Sequence, residues 1–302
     1  MGRIGRAAAL KAMEIAFDNG VTHFDVARSY GYGDAEAVLG AFAAGKRDRI
    51  TIATKFGIRA SGTAKGLRWL RPAVRQIASH IPYARSAVRA AAGQTLKAGY
   101  YRLADARSSF EESLRQLRSH ADMLFIHDCS PDDELSDELL GYLQNLVQAG
   151  RIRAWGIATQ REWIAPICTK LAIQPMVIQC AQDILHRVPG RGSPDDAKPA
   201  IFHSPFGASL DRLQTLFAGS NLPPILSGVS PAFSRKDTGA RLLLEGALFM
   251  AGDNPVLCSM FDPSHIRDNV DAIVRPRFTT EQLSALIGIA TRTESNNAAT
   301  PR

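Results

Sequence analysis

Four side chains that can carry or transfer a proton lie at or just after the ends of short apolar runs. Asp25, Lys55 and His127 each end such a run, and Tyr30 follows Asp25 closely. A buried ammonium needs a counter-ion, so Asp25 would keep Lys55 charged, and Lys55 would lower the pKa of the Tyr30 phenol. Tyr30 could then act as an acid toward a carbonyl oxygen. A hydrogen bond from His127 would orient that oxygen and stabilise its developing negative charge.

Each of these residues also has an ordinary structural explanation. A single Asp or Lys at a strand end is usually a solvated terminus, a single His is more often a hydrogen-bonded core residue, and Tyr30 alone could be a loop aromatic. Because the four occur in chain order at strand termini, we favour one shared site over four separate coincidences.

The elements that would position these residues alternate along the chain. Short β-branched or apolar runs are separated by longer segments of helical period, which is typical of a parallel sheet with crossover helices. The predicted strands are Val21–Asp25, Ile50–Lys55, Met123–His127, Ala154–Ala158, Met176–Cys180, Ala200–His203 and Pro255–Cys258. The predicted helices are Ala7–Phe17, Ala35–Phe42, Ala106–Arg118, Ser136–Ala149, Trp163–Leu171, Leu210–Phe217, Arg241–Phe249, Pro263–Ala272 and Thr280–Ala290. Barrel enzymes place their sites at the carboxyl ends of such strands.

This series predicts an α/β fold, a (β/α)8 TIM barrel that lacks its first strand. A closed barrel needs a strand before the helix Ala7–Phe17, and the six residues before that helix are too few and too polar to supply it. We expect either a start codon assigned too far downstream, which is an N-terminal truncation, or a gap bordered by unpaired strand edges. Residues 1–294 are predicted to form a single domain, and the polar segment Ser295–Arg302 a disordered tail.

Four segments carry a resemblance to a known family. They are Thr22-His-Phe-Asp-Val-Ala-Arg-Ser-Tyr-Gly-Tyr-Gly33 with Glu36 and Leu39-Gly40, Ala53-Thr-Lys-Phe-Gly57, Asp122-Met-Leu-Phe-Ile-His127 and Gly150-Arg-Ile-Arg-Ala-Trp-Gly-Ile-Ala158. On these segments the chain resembles the aldo-keto reductases, and the similarity extends to about Ile273. The resemblance implies a (β/α)8 barrel, NADPH more often than NADH, and reduction of aldehydes or ketones with Asp25, Lys55 and His127 supporting the acid Tyr30.

The resemblance also implies positions that bind the nicotinamide and pyrophosphate. Thr159 and Gln160 stand where the family has a Ser-Asn pair for the carboxamide, and Gln179 matches the family's amide-binding glutamine. In Phe202-His-Ser-Pro-Phe-Gly207, the stacking role would fall to His203, and the phosphate contacts to Ser204, Phe206 and Gly207.

The adenosine half of the cofactor would be bound near the end of the chain. The segment Val256–Asn269 matches this part of the family, with His265, Arg267 and Asn269 as the predicted contacts. NADPH-specific members have a Lys shortly before the helix and an Arg at the place of His265. Because Arg267 could supply a charge to the 2′-phosphate, NADPH is predicted, with NADH as the alternative.

Charge and composition limit the partners. The net charge of +7 favours acidic partners such as phosphorylated cofactors, anionic substrates or nucleic acid. Between Ile58 and Ala104 there are nine Lys or Arg residues and no acid, as expected of a lid, an anion-attracting surface or a solvated basic segment. No long apolar stretch or charged leader is present, and the four cysteines are widely spaced, so we expect a cytoplasmic protein with reduced thiols. We predict a small-molecule carbonyl substrate, no nucleic acid, no membrane, and a monomer or small homo-oligomer.

Other functions remain open at this point. A non-catalytic barrel could bind nicotinamide as a sensor or regulatory subunit, or the absent first strand could leave the chain inactive, because that strand normally lines the cofactor pocket. A barrel lyase or isomerase would need metal ligands or phosphate-binding glycines at the later loops, and the sequence offers no convincing metal cluster. Nucleic-acid binding would rest on the basic segment alone.

Overall fold

The computed structural model describes residues 5–60, 96–184, 198–207, 224–227 and 236–298. These residues belong to two compact units, one formed by Met1–Glu14 with Thr22–Val177 and the other by Ile15–Val21 with Ile178–Arg302. The predicted helix Leu210–Phe217 and most of the basic segment between Ile58 and Ala104 lie outside the described residues.

The first element of the described residues is α1 (Arg6–Asp18), and the first unit contains alternating strands and helices. Its elements are β1 (His23–Asp25), α2 (Ala35–Ala43), β2 (Thr51–Phe56), β3 (Arg59–Ala60), β4 (Leu96–Lys97), α3 (Leu103–Leu117), β5 (Met123–His127), α4 (Asp137–Gln148), β6 (Ala154–Ala158) and α5 (Arg161–Lys170). Two short 3-10 helices, Tyr30–Gly33 and Arg47–Arg49, precede α2 and β2. β1, β2, β5 and β6 pair in parallel in this order, and β3 and β4 form a separate antiparallel pair.

Two contacts fix which face of β1 and β2 carries the chemistry. The ring of Phe24 packs on that of Phe42 in α2 at 4.8 Å, and the Thr54 hydroxyl donates to Glu36 of α2 at 2.6 Å. Because successive side chains in a strand point to opposite faces, the neighbours Asp25 and Lys55 both point away from α2.

The second unit is built around three further parallel strands. Its elements are β7 (Val177–Ala181), which starts at the last residue of the first unit, β8 (Ala200–His203), α6 (Pro224–Ser227), α7 (Lys236–Ala251), β9 (Val256–Leu257), α8 (Pro263–Val274) and α9 (Thr280–Ala298). β8 pairs with β7 on one side and β9 on the other. The core of this unit is formed by buried aliphatic side chains, namely Ile184, Leu226, Leu242, Leu243, Leu283 and Leu286.

The structure confirms all seven predicted strands, with ends displaced by no more than two residues. The predicted helix Arg241–Phe249 is longer and begins at Lys236. α9 continues to Ala298, four residues into the segment predicted to be a disordered tail, and that prediction stays a prediction. No Gly or Pro interrupts the chain between Ala290 and Ala298, so nothing in this stretch stops the helix. Residues 299–302 lie outside the described residues.

Among the described residues, no strand precedes α1, and no helix is long and apolar enough to cross a bilayer. The prediction of a single domain stays a prediction.

Candidate active site

A buried ion pair lies at the carboxyl ends of β1 and β2. The Lys55 ammonium donates to the Asp25 carboxylate and, at 3.2 Å, to the carbonyl of Val26. The Lys55 side chain is 2% exposed and that of Asp25 11%. Burial lowers the pKa of Lys55, and the charge and hydrogen bond of Asp25 oppose that change. Asp25 is therefore placed as the counter-ion that the sequence predicted for Lys55.

Tyr30 and His127 lie beside this pair. Tyr30 begins the 3-10 helix that follows β1, and its ring centroid is 5.2 Å from the Lys55 nitrogen. The His127 ring, at the end of β5, meets the Tyr30 ring edge-on, with centroids 5.8 Å apart and planes at 80°. The four residues predicted to converge thus lie together at the carboxyl ends of three neighbouring strands.

The predicted lowering of the Tyr30 pKa is wrong. Burial raises the pKa of Tyr30, and the carboxylates of Asp25 and Asp128 raise it further. The residue is 41% exposed, yet the protein atoms around it still favour the neutral phenol. The physical reason is that Lys55 does not act as an isolated cation. Asp25 offsets much of its charge, so the attraction between Lys55 and a phenolate does not outweigh the burial and the two carboxylates that raise the pKa.

The turn after β5 holds His127 from two sides. Asp128 adopts a left-handed backbone with φ of +59°, and its N–H donates to the carbonyl of Ala158 at 2.7 Å. The Tyr101 hydroxyl lies 3.1 Å from the carbonyl oxygen of His127 and 2.9 Å from that of Asp128. Tyr101 and Asp128 are thus neighbours of the site that the sequence reasoning missed. The position of Asp128 directly after His127 could have indicated it, whereas nothing in the sequence pattern pointed to the contacts of Tyr101.

The two cofactor positions predicted in the first unit lie next to this turn. Thr159 follows Ala158, which is paired with His127, and its hydroxyl donates to the carbonyl of Cys129 at 2.6 Å. Since its hydroxyl hydrogen is used in this bond, Thr159 would meet a carboxamide as an acceptor. Gln160 is exposed at the residue before α5.

The cofactor positions predicted around β7 and β8 belong to the second unit. Gln179 is 1% exposed in the middle of β7. His203 ends β8 with its Nδ1 2.9 Å from the hydroxyl oxygen of Ser204, which has a φ of +59°. The N–H of Gly207 donates to the carbonyl of Ser204 at 3.0 Å. The Phe206 side chain packs on the core of this unit, which leaves its backbone for a phosphate contact.

The first two turns of α8 carry the remaining predicted contacts. Asp262 caps this helix, accepting hydrogen bonds from the N–H and the hydroxyl of Ser264 at 2.8 and 2.6 Å. His265 and Arg267 are exposed and Asn269 is partly buried. Because the cap is itself an anion, a 2′-phosphate here would depend on the cationic side chain of Arg267 in the next turn.

Metal chemistry finds no support in the described part of the chain, where no group of three or more His, Cys, Asp or Glu side chains could hold an ion. The cysteines there are free thiols, and burial raises the pKa of Cys129 to about 12.

Several known proteins are similar to this chain. Residues 1–192 match the family model described as the aldo/keto reductase family. No curated protein matches the chain. Among solved structures, it is similar to an aldo-keto reductase from Klebsiella pneumoniae in complex with NADPH, with 20% identity, a TM-score of 0.65, and coverage of 96% of this chain and 88% of that one.

Two further structures give the same result. The holo form of an aldo-keto reductase from Bacillus halodurans has 20% identity and a TM-score of 0.69, with 94% of this chain and 88% of that one covered. An aldo/keto reductase from Brucella melitensis has 18% identity and a TM-score of 0.62, with 95% and 90% covered. These similarities confirm the predicted fold class, an α/β fold with parallel strands that match the barrels of aldo-keto reductases. The strands described here are consistent with a barrel that lacks one strand.

Proposed function

The chain belongs to the aldo/keto reductase family, and on that premise we propose that it is an NADPH-dependent oxidoreductase that reduces an aldehyde or ketone to an alcohol. The observation that carries the proposal is the placement of Tyr30 between Lys55 and His127, 5.2 Å from the ammonium and 5.8 Å from the imidazole ring. NADH is the alternative cofactor, because the adenosine segment has His265 where NADPH-specific members have Arg.

The residues of the first unit suit such a cofactor. Thr159 offers a buried acceptor one residue beyond Ala158, which pairs with His127, so a carboxamide bound there would lie next to the proton-transfer residues. When bound, NADPH supplies the hydride that adds to the carbonyl carbon. By the family resemblance, Gln160 is a further nicotinamide contact in the first unit. In the second unit the predicted contacts are Gln179 and His203 for the nicotinamide, and Ser204, Phe206, Gly207, His265, Arg267 and Asn269 for the phosphates and adenosine.

Proton transfer is then the task of the chain's own side chains. The raised pKa of Tyr30 keeps its phenol protonated at neutral pH, which is the form that a proton donor must have. As the carbonyl oxygen gains the electron pair of the C=O π bond, Tyr30 gives it a proton and becomes a phenolate. Lys55 stabilises that phenolate, and His127 donates a hydrogen bond to the same substrate oxygen.

The decisive experiment is Tyr30→Phe. We expect this variant to lose reduction of a good aldehyde substrate while still binding NADPH, measured by protein fluorescence or calorimetry. Tyr142→Phe, which removes a phenol hydroxyl from the α4 surface, is the matched control and should keep full activity. Substantial turnover by Tyr30→Phe would contradict the role of Tyr30 as the acid.

A second measurement tests the cofactor. If Arg267 binds the 2′-phosphate, Arg267→Ala should weaken binding of NADPH and leave binding of NADH unchanged. Binding of neither dinucleotide to the wild-type protein would remove the assignment. Binding without turnover across aldehydes, ketones and sugars would instead favour a nicotinamide sensor or regulatory barrel.

A further inference from the structure

Tyr101 connects the turns after β2 and β5. Its side chain is buried, with the residue 5% exposed, and its hydroxyl is within hydrogen-bond distance of the carbonyl oxygens of both His127 and Asp128. These two carbonyls mark the point at which the chain leaves β5. Tyr101 therefore contacts the backbone of His127 itself, although it is remote from that residue in sequence.

The ring of Tyr101 occupies the space beside Gly57, which lies two residues after Lys55. A Cβ atom added to Gly57 would lie 2.4 Å from Tyr101 Cε1 and 3.0 Å from the carbonyl oxygen of His127. The N–H of Tyr100 also donates to the carbonyl of Gly57 at 3.2 Å. Only glycine permits this close approach, and the φ of +111° at Gly57 is likewise a glycine conformation.

The turn contacted by the Tyr101 hydroxyl contains a backbone conformation that needs stabilising contacts. Asp128 has a left-handed backbone, which is unfavourable for a residue with a Cβ atom. Ala158 of β6 accepts from its N–H on one side, and Tyr101 donates to its carbonyl on the other. Such a conformation persists only where its surroundings determine it.

From these contacts we infer that Tyr101 is a positioning residue, which sets the place of His127 relative to Lys55 and Tyr30. The ring fixes the turn after β2 and the hydroxyl fixes the turn after β5. The Tyr30 ring lies near a residue of each strand end, Lys55 of β2 and His127 of β5. The inference rests on the proposed function, because the effect of Tyr101 on the position of His127 is measured through kcat.

The test is Tyr101→Phe, which keeps the ring against Gly57 and removes the hydroxyl. Displacing His127 by up to about 1 Å should lower kcat by about tenfold to a hundredfold, with little change in the Kd for NADPH. The Asp128 carboxylate that acts on Tyr30 would also lose its fixed position, so the alkaline limb of the kcat profile should move. Tyr142→Phe, the matched loss of a hydroxyl, should change neither.

A second pair of variants separates positioning from folding. 4-Aminophenylalanine at position 101 restores an N–H donor and should recover kcat, whereas 4-fluorophenylalanine has a similar size without a donor and should behave like Tyr101→Phe. Unchanged kcat and an unchanged pH profile in Tyr101→Phe would overturn the inference, as would equal activity of the two non-natural variants.

Failure of the inference can be told apart from failure of the proposed function. If the wild-type protein reduces no carbonyl compound, the proposed function fails. NMR of the His127 ring still tests the inference in that case. Tyr101→Phe should then shift the His127 ring resonances and Tyr142→Phe should not. Identical His127 resonances in all three proteins would overturn the inference independently of any activity.

Discussion

The ammonium of Lys55 lies 5.2 Å from the centre of the Tyr30 ring while it is bonded to the carboxylate of Asp25. A cation at this distance from an aromatic ring is within cation–π range. Because Asp25 compensates its charge, Lys55 leaves the phenol protonated in the resting site. The lysine matters more once Tyr30 has given up its proton, when a phenolate and an ammonium are neighbours in a partly buried site.

Removing Lys55 should therefore affect both stability and activity. We expect Lys55→Met to lower the free energy of unfolding by about 3–5 kcal/mol, since the Asp25 carboxylate keeps its burial and loses its counter-ion. Reduction of an aldehyde should be lost as well. Denaturant unfolding and NADPH oxidation measure the two effects.

The double variant Lys55→Met with Asp25→Asn distinguishes these effects. It should recover most of the stability, because no uncompensated charge remains, and it should stay inactive. Lys46→Met removes a more exposed partner of Glu14 and should change stability by only about 0–1 kcal/mol. A double variant that is no more stable than Lys55→Met would contradict the assignment of Asp25 as the counter-ion.

The carboxylate of Asp128 should influence the titration of Tyr30. A negative charge disfavours a phenolate, so Asp128→Asn should lower the pKa of Tyr30 and move the alkaline limb of the activity profile to lower pH. The tyrosinate absorbance of the variant, taken as a difference from the same protein with Tyr30→Phe, reports the Tyr30 titration. Asp132→Asn, at an exposed position on the same loop, is the control. A Tyr30 pKa that stays constant or rises would exclude Asp128 as a cause.

The sequence predicted the positions of the site residues but not the electrostatic effects among them. The strand ends of Asp25, Lys55 and His127 could be predicted because short apolar runs and chain order indicate which residues reach one end of a parallel sheet. The pKa of Tyr30 could not, since it depends first on burial of the phenol and then on Asp25 and on Asp128, a residue brought near by the turn after β5. Tyr101 lies in the basic segment between Ile58 and Ala104, where no motif singled it out, because a contact between residues so far apart leaves no periodic signal.

Gly57 offers a direct measure of the crowding around Tyr101. Gly57→Ala would introduce a Cβ atom 2.4 Å from the Tyr101 ring, so the ring or the turn must shift. Gly99 also has a positive φ, +93°, but nothing lies within 4 Å of its added Cβ, so Gly99→Ala carries the backbone strain alone. We expect Gly57→Ala to be less stable than Gly99→Ala by about 1–3 kcal/mol in denaturant unfolding. Equal losses of unfolding free energy in the two variants would show that the Tyr101 ring moves away from the added Cβ atom at no cost.

Arg241 should be the main polar determinant of stability in the second unit. Its side chain is 6% exposed and is bonded to Glu245 and Asp271, and it also donates to the Asp271 carbonyl at 2.8 Å. Glu245 in turn accepts from the N–H groups of Arg277 at 2.9 Å and Phe278 at 3.0 Å, which fixes the segment between α8 and α9. Arg241→Met leaves Glu245 buried without its cation and should lower the free energy of unfolding by about 3–5 kcal/mol.

The loss of Arg241 should also change how the free energy of unfolding depends on pH. The hydrogen bond from Arg241 is the largest cause that lowers the pKa of Asp271 below its ordinary value. A lowered pKa in the folded state stabilises the fold above the ordinary Asp pKa, and the stabilisation is lost as the pH falls through the lowered value. Arg241→Met should therefore lose less stability than wild type on acidification, whereas Arg151→Met, which breaks an exposed pair with Glu111, should follow wild type. An acid-induced loss in Arg241→Met as large as that of wild type would show that Arg241 does not set the titration of Asp271.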